Sequence, residues 1–290
     1  MNPQSDEAKA PAFHIGGVSV FNEDAIQGMK RLEENSIDLA IADPPYGAFS
    51  ATPSELPEGH ELEGFGGAWK AASHEWDKID PKQHLEFAME WLSELKRVVA
   101  PTGSIWIHSS YHNGGFMNVA CQLLGLEIIN EVVWFKRNAF PNLKGTRLTA
   151  SHETILWVHT GGQKKRQYRF NYEDVKAAEY PEDQMKQAGK QLRTVWDIPN
   201  NKTANELSFG KHPTQKPERV IQRLIDISGV AGGTLLSPFS GSGTDLVVGM
   251  RNGMSGIGFE LEQEYFDLSE RRLQAEYEAG QARLDFGGSL

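Results

Sequence analysis

Short apolar runs closed by turn residues alternate with stretches whose apolar positions recur at helical spacing, and this alternation leaves few folds open to the chain. A period near two followed repeatedly by one near 3.6 is the pattern of an α/β fold, in which crossover helices cover both faces of a mostly parallel sheet. The spacing predicts strands over 18–21, 37–42, 104–107, 128–135, 154–159, 234–236 and 256–259. Helices are predicted after the first strand, where Ile26, Met29 and Leu32 share a face, and over 85–99, 116–124, 217–228, 244–251 and 262–279. Pro217 suits a first helical position, where its missing N–H is no loss. A seven-stranded sheet of this kind fits comfortably in 290 residues of 39% hydrophobic content.

The periodicity fails over 161–210, a stretch rich in Lys, Gln, Asn and Tyr, which reads as a lobe inserted between two halves of one domain, 15–160 and 211–280. The segment 47–75, rich in Gly, Pro and Ser, is too long for an ordinary connection and reads as a mobile loop. Residues 1–14 and 281–290 read as flexible ends. The single cysteine, Cys121, excludes an internal disulfide, and the polar start MNPQSDEAKAPAF does not read as a signal peptide, so a reducing cytoplasm is expected. No apolar stretch approaches the ~20 residues that cross a bilayer, so no membrane partner is expected.

A net charge of -10 opposes nucleic-acid binding on its face, because phosphate contact draws on clustered Lys and Arg. The distribution is uneven. Between Lys136 and Lys216 there are 15 Lys and Arg against 8 Asp and Glu, which leaves 14 against 31 for the rest of the chain. A locally basic segment reads either as solvated charge or as a phosphate-facing surface, and a motif beside it must decide.

That motif is Asp43-Pro44-Pro45-Tyr46, placed directly after the apolar run Leu39–Ala42, where a parallel strand meets the ligand-binding edge of the sheet. Two prolines fix φ and remove two donors, so the Pro44 carbonyl is held beside the Asp43 carboxylate as a pair of acceptors. Tyr46 adds a face on which a base stacks. An exocyclic amine is a poor nucleophile because its lone pair is delocalised into the ring. Two acceptors on its hydrogens favour a tetrahedral nitrogen and free that lone pair. The plainer alternative is a proline-rich turn capped by Asp.

A second motif, Phe239-Ser240-Gly241-Ser242-Gly243-Thr244, joins a predicted strand to a helix, and Glu260 closes the next strand. Glycines let backbone pass close to a ligand, and a carboxylate there accepts from ribose hydroxyls, which suits an adenosine cofactor. Nicotinamide dehydrogenases share this logic, but the third glycine of their motif falls on Leu246. His212-Pro213-Thr214-Gln215-Lys216 leads into a helix whose N-terminus and lysine suit an anion, or is a plain helix entry. Asp24-Ala25 follows the first strand, either as an adenine-amine acceptor or as an ordinary N-cap. His108 and His112 lack the setting of a metal site, and no metal is expected.

In this order, the four pieces resemble the permuted β-class amino-methyltransferases, the N6-adenine and N4-cytosine DNA enzymes that use S-adenosylmethionine. The likeness covers about Val18 to Ala279 and implies a Rossmann-like methyltransferase fold with a catalytic half, a target-recognition lobe and a cofactor-binding half. It implies that Asp43, Pro44, Pro45 and Tyr46 engage a flipped base. Phe239, Ser240, Gly241, Ser242, Gly243 and Glu260 would hold S-adenosylmethionine, with Asp24, Ala25, His212, Thr214 and Lys216 completing the pocket. The segments Val132–Lys136 and His152–Trp157 are similar to those flanking target recognition in that family. Double-stranded DNA is the expected partner, with Lys136, Arg137, Lys144, Arg147, Lys164, Lys165, Arg166 and Arg169 as the residues that would meet it. A homodimer and a cognate restriction endonuclease are further partners the resemblance allows.

Asp in the first motif position favours adenine N6 in the family, with cytosine N4 the nearest alternative and an RNA substrate a more distant one. One departure stands out. The family usually carries Asp before Pro-Phe, where this chain has Ser237, so a DNA-binding protein weakened in catalysis is a further alternative. Recognition is expected to rest on the basic lobe, the 47–75 loop or a second subunit. Trp76-Asp77 reads either as a closure over the base or as packing.

Overall fold

The computed structural model describes residues 10–46, 81–142, 145–162 and 167–287, so the 47–75 loop, Trp76-Asp77, Lys144 and Lys164 to Arg166 lie outside the described residues. The strands are β1 (Phe13–Ile15), β2 (Val18–Asn22), β3 (Ile37–Ala42), β4 (Val99–Ser109), β5 (Glu127–Phe135), β6 (His152–His159), β7 (Val195–Asp197), β8 (Thr234–Ser237) and β9 (Ser255–Glu260). They form one sheet in the order β1-β2-β9-β8-β3-β4-β6-β5-β7. All but β1 and β6 run the same way.

The sheet is thus α/β and mostly parallel as expected, but nine-stranded rather than seven-stranded. The two additional strands have 3 residues each, too short to show a period. β1 is a hairpin partner of β2 across Gly16 and Gly17, both at positive φ. β7 lies inside the segment 161–210 and pairs in parallel with the edge of β5.

The helices are α1 (Ala25–Met29), α2 (Pro81–Val98), α3 (Gly114–Leu123), α4 (Tyr172–Ala177), α5 (Glu218–Ser228), α6 (Thr244–Arg251) and α7 (Gln263–Gly287). Strand alternation divides the core between two faces. Leu39 and Ile41 of β3 pack with Val220, Leu224, Leu246 and Leu273 from α5, α6 and α7. Ala40 and Ala42 pack with Met29, Trp91, Leu95 and Met117 from α1, α2 and α3. Burial on both faces explains why β3 reads as an unbroken apolar run.

The segment 161–210 is tied into this core. Trp196 of β7 is buried with Trp106, Trp134 and Trp157, and Trp106 stacks on Trp157 at 5.0 Å between ring centroids. Asp183 accepts from the Asp197 backbone N–H at 3.1 Å and pairs with Arg223 of α5, both side chains being almost fully buried.

Candidate active site

Register alone assembles the site. β2, β9, β8, β3 and β4 are parallel neighbours, so their carboxyl ends share one edge of the sheet. Asn22 lies opposite Glu260, which brings Asp24 to the end of β9, while β3 and β8 end side by side and bring Asp43 to Phe239. Antiparallel β6 delivers its amino end to the same edge, with Thr154 opposite Ser109 and His152 opposite Phe135, so Glu153 and Lys136 arrive beside Asp43. A cavity of about 570 Å³ runs along this edge, large enough for a nucleoside-sized cofactor and a base.

At one end of the cavity the Asp43 carboxylate accepts from Tyr46 Oη at 2.8 Å and from Lys216 Nζ at 2.6 Å. Tyr46 Oη also lies 3.2 Å from Glu153 Oε2, and Lys136 Nζ donates to Glu153 Oε1 at 2.8 Å. Lys216 Nζ is 3.7 Å from Glu153 Oε2, which closes a ring of two carboxylates, two ammonium groups and a phenol. Burial opposes the charge of Lys216, but Asp43 and Glu153 outweigh it and raise its pKa. Burial likewise opposes the charge of Glu153, yet Lys216 and Lys136 bring it down to about 2. The Tyr46 phenol is pushed well above its ordinary value by burial and by both carboxylates, so it remains a donor. His108, fully buried and within electrostatic reach of Asp43, Lys216 and Glu153, is lowered by burial to about 4 and stays neutral at pH 7.

The other end is built around the glycine turn after β8. Gly241 and Gly243 sit at φ 49° and 70°, and a Cβ on Gly243 would stand 2.8 Å from Ser269 Cβ. Glu260 accepts from the Gly241 N–H at 2.8 Å and the Glu262 N–H at 2.9 Å, which leaves each oxygen a further lone pair toward the cavity. Burial raises its pKa against the pull of those two N–H groups. Asp24 caps α1 through the Gln27 N–H at 2.9 Å while lining the cavity, so the cap and a ligand-facing position coexist. Ala25, His212, Thr214, Phe239, Ser240 and Ser242 line the cavity, whereas Gly243 shapes the turn without lining it. Arg272 of α7 braces the turn by donating to the Ser242 carbonyl at 2.8 Å and to Thr244 Oγ1 at 2.7 Å.

The close backbone of the turn and the carboxylates of Glu260 and Asp24 are donor and acceptor chemistry that would suit the ribose and base of an adenosine cofactor. Lys216, whose charge was expected to suit an anion, lines the cavity and donates to the Asp43 carboxylate. Among the described residues no group of three or more His, Cys, Asp and Glu side chains is arranged to hold a metal ion, and no helix is long and apolar enough to cross a membrane.

The basic residues divide by position. Lys136 is held in the Glu153 network, and Arg137 donates from Nε to Asp197 at 2.8 Å. Arg147 is exposed beside Tyr111 Oη at the mouth of the cavity, next to a Leu148 that is 93% exposed. Arg169 stands elsewhere: its N–H meets the Thr102 carbonyl near the start of β4, at the edge of the sheet away from Asp43. Glu153 is the site residue the sequence motifs did not single out by role, although it is the second residue of the run His152–Trp157.

A mostly parallel Rossmann-like sheet with a large cavity along its carboxyl edge is the fold of the S-adenosylmethionine-dependent methyltransferases. The chain belongs to the DNA methylase family of N6 and N4 methyltransferases, whose model matches residues 37–271. It is 34% identical over 269 residues to the type II methyltransferase M2.DpnII of Streptococcus pneumoniae, covering 92% of this chain and 94% of that one. It is 36% identical over 261 residues to the type II methyltransferase M.HinfI of Haemophilus influenzae, covering 88% and 68%. Among solved structures, the cytosine-N4-specific PvuII DNA methyltransferase shares the fold at a TM-score of 0.68 with 15% identity, over 93% of this chain and 95% of that one. The M1.HpyAVI–SAM complex does so at 0.57 with 20% identity, over 88% and 99%.

Proposed function

We propose that the chain methylates the exocyclic N6 of adenine in a specific sequence of double-stranded DNA, after flipping the base into the pocket formed by Asp43, Pro44, Pro45 and Tyr46. When bound, S-adenosylmethionine supplies an electrophilic methyl group on a sulfonium centre. The chain supplies position and acceptors. Extruding one base costs a few kcal/mol, and stacking on Tyr46 offsets part of it.

The observation that carries this reading is the pinned Asp43 carboxylate. Lys216 and Tyr46 fix its orientation from two sides, and each oxygen keeps a lone pair for an amine hydrogen. With the Pro44 carbonyl as second acceptor, the amine nitrogen is turned toward the methyl donor, and positioning then supplies much of the acceleration. The nitrogen gives up one proton after transfer, and the Asp43 carboxylate is the acceptor within reach. No covalent enzyme intermediate is required, and Cys121 is buried away from the pocket.

Asp in the first motif position supports adenine over cytosine through the family resemblance. Arg147 and Tyr111 at the mouth support a DNA-facing role for the β5–β6 connection, and the 161–210 segment extends that face as the recognition region. A cytoplasmic homodimer acting beside a cognate restriction endonuclease completes the reading. The test is mass spectrometry of nucleosides from DNA of cells expressing the chain. N6-methyladenine is expected, and N4-methylcytosine without it would overturn the base assignment.

A further inference from the structure

Asp245, in the first turn of α6, is a buried carboxylate that neither nearby buried cation pairs with directly. It is 7% exposed and lines the cavity between the glycine turn and Asp43. One oxygen accepts from Ser237 Oγ at 2.8 Å, and among the described residues the carboxylate makes no other hydrogen bond and no ion pair. Charged groups face it from each neighbouring element: Asp43 after β3, Lys216 before α5 and Arg272 on α7. Both cations are engaged elsewhere, Lys216 on Asp43 at 2.6 Å and Arg272 on Ser242, Thr244 and Glu218.

We infer that Asp245 is the counter-charge for the cationic centre of the cofactor's methionine moiety, taking the place of the carboxylate that Ser237 lacks. The inference rests on the cavity being the cofactor site. A first-turn acid gains something from the helix dipole wherever it sits, but that role is served at the surface and does not require burial. Here burial, opposed by the Ser237 hydrogen bond and reinforced by Asp43, raises the group to about 7. A cation entering the cavity beside it stabilises the ionised form, so cofactor binding and loss of that proton are coupled.

The test is calorimetry on the full chain and on Asp245→Asn, with S-adenosylmethionine, S-adenosylhomocysteine and 5′-methylthioadenosine as probes. Asp245→Asn is expected to weaken S-adenosylmethionine about ten- to hundredfold while leaving 5′-methylthioadenosine within about twofold. S-adenosylhomocysteine weakened equally assigns the α-ammonium as the partner; unchanged, it assigns the sulfonium. From about pH 7.5 to about pH 6 the native chain is expected to lose roughly tenfold in S-adenosylmethionine affinity through this group, a component missing from the variant. A variant that binds S-adenosylmethionine as tightly as the native chain, or that loses 5′-methylthioadenosine to the same extent, overturns the inference and leaves the cofactor site standing. A native chain that binds none of the three overturns both.

Discussion

The Asp43 carboxylate draws its orientation from partners remote in sequence. Lys216 is 173 residues away and Glu153, joined through Tyr46, is 107 residues from that tyrosine. The tetrapeptide Asp43 to Tyr46 was legible because its chemistry is local, two prolines and a carboxylate closing an apolar run. The ring that pins it was not, because it exists only once antiparallel β6 brings its amino end to the edge where parallel strands end. Two buried acids at this site respond oppositely to pH. Glu153, lowered to about 2, contributes stability that is present above the ordinary carboxylate value and is lost as pH falls toward 2. Asp245, raised to about 7, favours the folded state below its unfolded value and loses that contribution as pH rises through 7. Without cofactor, Asp245→Asn is therefore expected to raise the melting temperature at about pH 8 by a few degrees, with the gain vanishing near about pH 4, as scanning calorimetry would read. A variant no more stable than the native chain at the higher pH would mean that this carboxylate carries no burial penalty.

Elements with a clear period came through from sequence to structure with shifts at their ends, the largest at the last helix, which was expected over 262–279 and runs from Gln263 to Gly287 into the segment read as a flexible end. β3, for example, spans Ile37–Ala42 as expected, and the helix predicted over 217–228 begins at Glu218 with Pro217 as its cap. The elements that escaped were short ones, β1, β7 and α4, whose place is set by tertiary pairing rather than by pattern. β7 matters most, since it and the buried Arg223–Asp183 pair fasten the segment 161–210 to the edge of the sheet. The Arg223 guanidinium also lies over the Tyr180 ring at 4.0 Å and the Trp196 ring at 5.1 Å. Asp183→Ala would leave that guanidinium buried without its partner, a loss of about 3–5 kcal/mol in urea unfolding. A loss under ~1 kcal/mol would show that the segment is held by something other than this pair.

Across the whole molecule, a chain of net charge -10 gathers its positive excess into 136–216, and the fold sorts that excess by destination. Lys136 and Lys216 pair with the carboxylates of Glu153 and Asp43, Arg137 ties β5 to β7, Arg147 stands at the mouth, and Arg169 sits at the opposite edge. Sequence order could not separate these roles, because a basic run is equally basic whichever edge of the sheet it reaches. The permuted order of motifs, by contrast, was readable, since each motif lies at a strand end and parallel strands bring their ends together whatever their order in the chain. The proposed role of Asp43 is on the amine during transfer and not on the cofactor. Single-turnover transfer of tritiated methyl groups to DNA by Asp43→Ala, with S-adenosylmethionine affinity measured on the same preparation, tests it most directly. The rate is expected to fall at least about a hundredfold with affinity held within a few-fold; transfer at the native rate, or a loss fully accounted for by weaker cofactor binding, would contradict it.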